Sequence, residues 1–209
     1  MAFFRLGLLV AAAFLLLAGP TVAQTTPPAA PPQTTPPPAP PQITPPPSPP
    51  RAALPTDPFG QEVTMTPKTM VLAKGAATWD TAFDSLVGSF KTVLGALEKQ
   101  GIKPSGPPMT IYTASDDTGF EYLAGFPVAE EPKGPLPPDV SIGKSPAGRA
   151  LKFIHRGSYD TMDATYEAIT NHFEEKKLEY GDLFAEQYVT DPLTTPEENL
   201  VIEIYVPVK

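Results

Sequence analysis

A glutamate in an apolar run near the C-terminus is the residue with the clearest chemical potential. Residues 200–206 read LVIEIYV, and Glu203 is the charged residue among them. Because side chains alternate along a strand, Glu203 shares one face with Val201 and Tyr205. A carboxylate removed from water in such surroundings is unfavourable unless it is paired. We predict that Glu203 holds a cationic ligand or acts as a general base, the alternative being an edge-strand glutamate that faces water.

Aromatic residues could line a site beside Glu203. Tyrosine and tryptophan rings stack on flat ligands and attract cations, although ordinary core packing is the alternative for each. The candidates are Trp79, Tyr112, Tyr122, Tyr159, Tyr188 and Tyr205. If the site is catalytic, Glu203 would activate water as general base, and Tyr188 or Tyr112 would donate a hydrogen bond.

Other chemistries have no support in the sequence. The chain has no cysteine, and the spacing of His155 and His172 fits no metal motif, so we predict no metal site and no cofactor. No serine lies in a Gly-x-Ser-x-Gly setting, which argues against a serine hydrolase. The formal net charge of -8 argues against nucleic acid as a partner.

An internal repeat positions these residues. Residues 78–81 (TWDT) align with residues 158–161 (SYDT) at a shift of 80, and residues 126–128 (FPV) align with 206–208 (VPV) at the same shift. Such a match predicts a duplication with halves at about 61–130 and 139–209. Glu203 then corresponds to an apolar residue, Leu123, in the first half.

Each half has the pattern of a β-α-β-β unit. Apolar residues recur at helical spacing in 78–100 and in 160–178. Strands are predicted at 63–73, 109–114, 120–128, 139–143, 150–155, 184–190 and 200–206. We predict an α+β fold in which the duplicated units form one curved, mainly antiparallel sheet of about eight strands, with two long helices on one face. A groove between the helices and the sheet would provide the pocket.

The region before the repeat has a different composition. Residues 1–23 have the charged start, apolar run and small-residue end of a secretory signal peptide, and a retained membrane anchor is the alternative. Residues 24–58 contain 16 of the 30 prolines and predict a disordered linker. The expected folded domain is therefore 59–209, exported to the periplasm or secreted. If the N-terminal segment is not cleaved, it would tether the domain to the membrane.

Three motifs in the second half resemble those of the GyrI-like small-molecule-binding domain, which is also the effector-binding domain of AraC-type regulators. They are residues 155–159 (HRGSY), 188–192 (YVTDP) and 203–208 (EIYVPV). Their order and spacing carry the resemblance, which covers roughly 61–209 and is strongest after Gly148. The resemblance implies a duplicated β-α-β-β fold with a hydrophobic pocket between sheet and helices.

The resemblance also implies roles for single residues. A glutamate on the last strand, here Glu203, would meet cationic aromatic ligands, and Tyr112 and Tyr188 would be pocket tyrosines. Some relatives resemble hydrolases of reactive small molecules that use a pocket glutamate and a tyrosine. The sequence has no DNA-binding segment of the kind found in the regulators, and its export signal would separate it from DNA and gyrase.

Three functions follow as hypotheses. The first is an exported protein that binds a small hydrophobic or cationic molecule, with Glu203 as counter-charge. The second is a hydrolase in which Glu203 is the general base. The third is an interaction module of the cell envelope, in which the Pro-rich arm contacts an envelope partner.

Overall fold

The computed structural model describes residues 58–181 and 183–209, within one compact unit that spans Pro55–Lys209. The predicted signal peptide and nearly all of the predicted linker lie outside the described residues. Within the described part of the chain, no helix has the length and apolar character needed to cross a membrane.

Eight strands form one antiparallel sheet. In chain order they are β1 Gln61–Met65, β2 Thr69–Thr78, β3 Met109–Ser115, β4 Gly119–Pro127, β5 Val140–Lys144, β6 Gly148–Arg156, β7 Phe184–Tyr188 and β8 Val201–Pro207. Their order across the sheet is β1-β6-β8-β7-β3-β4-β2-β5. The predicted extended segment 63–73 is two strands, because β1 pairs with β6 while β2 pairs with β4 and β5.

Two long helices pack on one face of this sheet. Helix α1 spans Ala82–Glu98 and helix α2 spans Met162–Lys176, and each follows a short 3-10 turn, Trp79–Thr81 or Tyr159–Thr161. The apolar spacing that predicted α1 is its buried stripe, which includes Leu86, Phe90 and Leu97. The predicted α+β architecture is confirmed.

The chain passes twice through the same order of elements. The units β2-α1-β3-β4 and β6-α2-β7-β8 each form three adjacent strands, and they meet where β3 pairs with β7. The seam between the two units therefore lies at the centre of the sheet, with α1 packed over β2 and β4 on one side and α2 packed over β6 on the other. Descent from a duplicated ancestor remains a prediction.

The two faces of the sheet are both partly apolar. The main core lies between the sheet and the helices and includes Phe90, Phe153 and Ile204. A smaller apolar cluster on the opposite face includes Met70 and Ile111. Hydrophobic burial on both faces means that alternation alone does not identify which face the helices cover.

Candidate functional site

A buried glutamate, Glu186, lies at the seam of the sheet beneath the helices. It is in β7, where it pairs in register with Thr110 of β3. Its relative exposure is 0%. Strand alternation places Glu186 on the same face as Phe184 and Tyr188, which pack in the main core.

Tyrosine hydroxyls surround the carboxylate of Glu186. Tyr166 of α2 donates a hydrogen bond to Oε1 at 2.6 Å, and Tyr188 of β7 donates to Oε2 at 2.9 Å. Tyr159 donates to Oε2 over a longer distance of 3.4 Å, and its hydroxyl is 2.7 Å from that of Tyr112 on β3. If Tyr159 uses its proton for Glu186, Tyr112 must donate to Tyr159, so three hydroxyls donate to the carboxylate and the fourth donates to one of those three.

Burial and charge shift the titration of every member of this cluster. Burial raises the pKa of Glu186, and the tyrosine hydrogen bonds oppose that rise without cancelling it. The pKa values of Tyr112, Tyr159, Tyr166 and Tyr188 lie well above the usual tyrosine range, first because of burial and then because of the nearby charge of Glu186. The tyrosines therefore stay protonated and act as donors.

Glu186 has no positive counter-charge among the described residues. The ion pairs in that part of the chain are Lys74–Glu121, Arg149–Glu62 and Lys152–Glu203. A buried carboxylate that is hydrogen-bonded but not ion-paired favours the entry of a cation. The aromatic faces around it add cation–π attraction.

Aromatic rings close the space above the cluster. Phe83 of α1 stacks on Tyr159 with ring centroids 5.3 Å apart and planes 29° apart. Below them, Tyr188 meets Phe90 of α1 edge-on at 5.2 Å. The stacked rings of Phe83 and Tyr159 therefore join the first turn of α1 to the turn before α2, beside Glu186.

Two open cavities lie near this cluster without including Glu186 in their linings. The larger, about 600 Å³, is at the ends of β2, β3 and β4 and reaches Phe120. The smaller, about 280 Å³, is bordered by Leu94, Phe126, Leu193 and the ring of Tyr188. Of the two, the smaller cavity includes one residue of the cluster, Tyr188, in its lining.

Glu203 and Tyr205 lie on the opposite face of the sheet. As predicted, they share a face of β8, but Ile202, Ile204 and Val206 are the side chains that face the helices. Glu203 accepts hydrogen bonds from Lys152 at 3.0 Å, from Gln187 at 3.2 Å and from Tyr205 at 2.6 Å. Glu203 is therefore paired with a lysine and does not reach the cluster around Glu186 under the helices.

The remaining aromatic candidates divide between the cluster and other places. Tyr112, Tyr159 and Tyr188 belong to the cluster. Trp79 is half-exposed, with its indole nitrogen donating to the carbonyl oxygen of Asp116 at 3.0 Å. Tyr122 is buried under α1 and has its hydroxyl 3.0 Å from that of Ser89. The structure thus brings together three of the seven predicted ligand-binding residues.

Sequence reasoning missed Glu186 and Tyr166. The segment 184–188 reads FAEQY, in which Glu186 alternates with Phe184 and Tyr188. That alternation was a usable signal, because it sets the carboxylate on the aromatic side of the strand. Tyr166 gave a weaker signal as part of the apolar stripe of α2.

Comparisons with known proteins agree with this architecture. The model of a family described as the GyrI-like small molecule binding domain matches residues 61–209, more than half of the chain. None of the curated proteins compared with the chain matches it.

Solved structures with the same fold have low sequence identity. The C-terminal domain of EcmrR is 15% identical with a TM-score of 0.55, and the match covers 72% of this chain and 98% of that one. SAV2435 bound to tetraphenylphosphonium is 15% identical with a TM-score of 0.51, covering 72% and 93%. The EcmrR chain in a DNA complex is 14% identical with a TM-score of 0.60, covering 72% of this chain and 57% of that one. The present chain thus spans little more than half the length of that EcmrR chain.

Proposed function

The chain belongs to the family of GyrI-like small-molecule-binding domains, and we propose that it binds a lipophilic cation in the cleft at its central seam. Glu186 supplies the negative charge in this proposal, in place of the predicted Glu203. The observation that carries it is the complete burial of Glu186 without a cationic partner among the described residues. A cation at this position would supply the missing positive charge.

The cluster also limits the chemistry of the cation. The hydroxyls of Tyr166, Tyr188 and Tyr159 already occupy the oxygens of Glu186. A ligand that approaches over the tyrosine rings needs no hydrogen-bond donor of its own. Delocalised or quaternary cations with apolar surfaces fit these surroundings best. Tetraphenylphosphonium, the ligand of SAV2435, is such a cation and is a suitable first probe.

Export is the second part of the proposal. It is supported by the pattern of residues 1–23 and by the Pro-rich composition that follows. An exported binding protein would meet amphiphilic cations outside the cytoplasm. Mass spectrometry of the N-terminus in the secreted or periplasmic fraction tests this point, and recovery of an intact Met1 chain in the cytosol alone would contradict it.

Isothermal titration with tetraphenylphosphonium tests the ligand proposal. The wild type should bind, and Glu186→Gln should lose about 2–5 kcal/mol of binding free energy, the usual cost of removing one partner of a buried charge pair. Glu203→Gln is the matched control, because that carboxylate already has Lys152 as its partner. Equal binding by wild type and Glu186→Gln, or a larger loss in Glu203→Gln, would contradict the assignment.

A hydrolase is the second candidate, and the raised pKa of Glu186 supports it, because a general base works best near the ambient pH. In this version Glu186 takes over the catalytic role predicted for Glu203, and Tyr188 remains a possible donor. Turnover of an electrophilic small molecule by wild type but not by Glu186→Gln would support hydrolysis. Binding without turnover would support the first proposal.

A further inference from the structure

We propose that His155 is a positioning residue that holds Tyr159 over Glu186 and thereby slows ligand exchange at the seam. The inference rests on the proposed function and concerns its regulation. Residues 158–161, here named the lid turn, carry Tyr159 into α2. His155 is in β6, immediately before that turn, and is 4% exposed.

Both ring nitrogens of His155 have partners. Nε2 is 3.1 Å from the carbonyl oxygen of Ser158. Because a carbonyl can only accept, Nε2 carries the proton of the neutral ring. Nδ1 is then an acceptor for the Thr165 hydroxyl of α2, at 2.8 Å. One imidazole therefore links three elements, namely β6, the lid turn and α2.

This link complements the bonds within the lid turn. The Ser158 carbonyl also accepts from the backbone N–H and the hydroxyl of Thr161, at 3.0 and 2.7 Å, but those bonds only close the turn on itself. The chain enters the turn through Gly157, whose φ of 122° is a conformation that favours glycine. The N–H of Gly157 bonds to Leu200 at 3.0 Å. The His155 ring provides the hydrogen bond from the turn back to β6.

In the first unit a different residue fills the space that corresponds to that of the His155 ring. At the place 80 residues earlier stands Gly75, and its cross-strand partner is Tyr122. A Cβ at Gly75 would lie 2.5 Å from the Tyr122 hydroxyl, so the tyrosine ring occupies the space above the glycine. In the second unit the corresponding strand pair is His155 and Ile202. The large polar ring is on the last strand in the first unit and on the first strand in the second unit.

The two units also differ in the turn that precedes the helix. The Tyr122 hydroxyl is bonded to α1, at the carbonyl of Ser85. In the first unit the aromatic residue of the turn, Trp79, is half-exposed and bonds to Asp116. In the second unit the histidine bonds to the turn itself, and Tyr159 lies against Glu186. The unit with the histidine is thus the one whose turn covers the carboxylate.

Stopped-flow dissociation of tetraphenylphosphonium from the full chain tests the proposal. We expect His155→Ala to raise the dissociation rate about tenfold, which corresponds to the loss of about one hydrogen bond. His155→Gln should recover most of the effect, because its amide N–H reaches toward the Ser158 carbonyl. His172→Ala is the control, since that ring lies on α2 beside Phe59 and Phe153. Unchanged dissociation in His155→Ala would overturn the proposal.

A double-mutant cycle separates positioning from general destabilisation. If His155 acts through Tyr159, His155→Ala should change the rate less than twofold in a Tyr159→Ala background. A full tenfold change in that background would overturn the inference.

A ligand-free measurement keeps the two proposals distinguishable. The NMR signals of the Tyr159 ring should shift in His155→Ala and return toward the wild-type positions in His155→Gln. If the wild type binds no tetraphenylphosphonium, the proposed function fails, and this measurement alone decides the positioning role. Unchanged Tyr159 signals in His155→Ala would then overturn it.

Discussion

Glu186 should make the folded protein less stable as the pH rises. Burial raises its pKa above the ordinary value of 4.5, despite the tyrosine hydrogen bonds. Below the unfolded-state pKa both states carry the proton, so Glu186 causes no pH dependence there. Between that value and the raised folded-state pKa only the folded state keeps the proton, and raising the pH favours unfolding. Above the folded-state pKa the effect is constant.

The expected slope follows from proton linkage. One proton retained only by the folded state changes the free energy of unfolding by about 1.4 kcal/mol per pH unit. Glu186→Gln keeps the shape and does not titrate, but its single oxygen replaces only one of the two acceptor atoms that Tyr166 and Tyr188 use. The stability of the wild type minus that of Glu186→Gln should therefore fall with rising pH inside the window, by at most about 1.4 kcal/mol per pH unit.

Urea denaturation followed by circular dichroism, from about pH 4 to about pH 9, measures this difference. Subtracting the free energy of unfolding of the variant from that of the wild type removes the contribution of every other titrating group that the substitution leaves unchanged. Glu203→Gln, on the opposite face, provides the matched control, and its difference curve should not follow that of Glu186→Gln. A wild-type minus Glu186→Gln difference that is flat across the range, or that rises with pH, would refute the reasoning.

Three further changes test the packing around the site. Gly75→Ala should destabilise the fold by about 1–3 kcal/mol in urea denaturation, because its Cβ would lie 2.5 Å from the Tyr122 ring; unchanged stability would contradict that contact. Gly88→Ala in α1 meets nothing within 4 Å and should stabilise the fold by about 0.5–1 kcal/mol, and a loss of stability in the same assay would be the contrary result. Phe83→Ala removes the ring stack with Tyr159, which is worth about 0.5–1.5 kcal/mol. Both association and dissociation of tetraphenylphosphonium should then be faster in stopped-flow measurements. Slower association would contradict the proposal that this ring pair closes the site.

Local patterns in the sequence were sufficient to predict most of the fold. Leu86, Phe90 and Leu97 are spaced by the period of an α-helix. Such a pattern can be recognised in the sequence without knowledge of the tertiary structure. The strands followed from alternation in the same way. The pairing of β1 with β6 and of β5 with β2 did not follow, because pairing between distant strands leaves no local signal.

The site was harder to predict because burial is a long-range property. Alternation along β8 gave the two faces correctly, but Val71 beneath the helices and Leu72 on the opposite face are both apolar and both buried. The sequence therefore does not identify the face that the helices cover, and the sequence prediction named Glu203 without considering Glu186. Two of the three tyrosines that donate to Glu186, Tyr166 and Tyr159, lie 20 and 27 residues away along the chain.

Each half of the domain supplies an edge strand to the other half. Strand β1 precedes the first unit in the chain but completes the edge of the second, while β5 precedes the second unit and completes the edge of the first. Splitting the gene near residue 130 would thus yield two pieces that each carry the other's border strand. Such fragments should remain incomplete when made separately and recover the Glu186 cleft only when they are produced together.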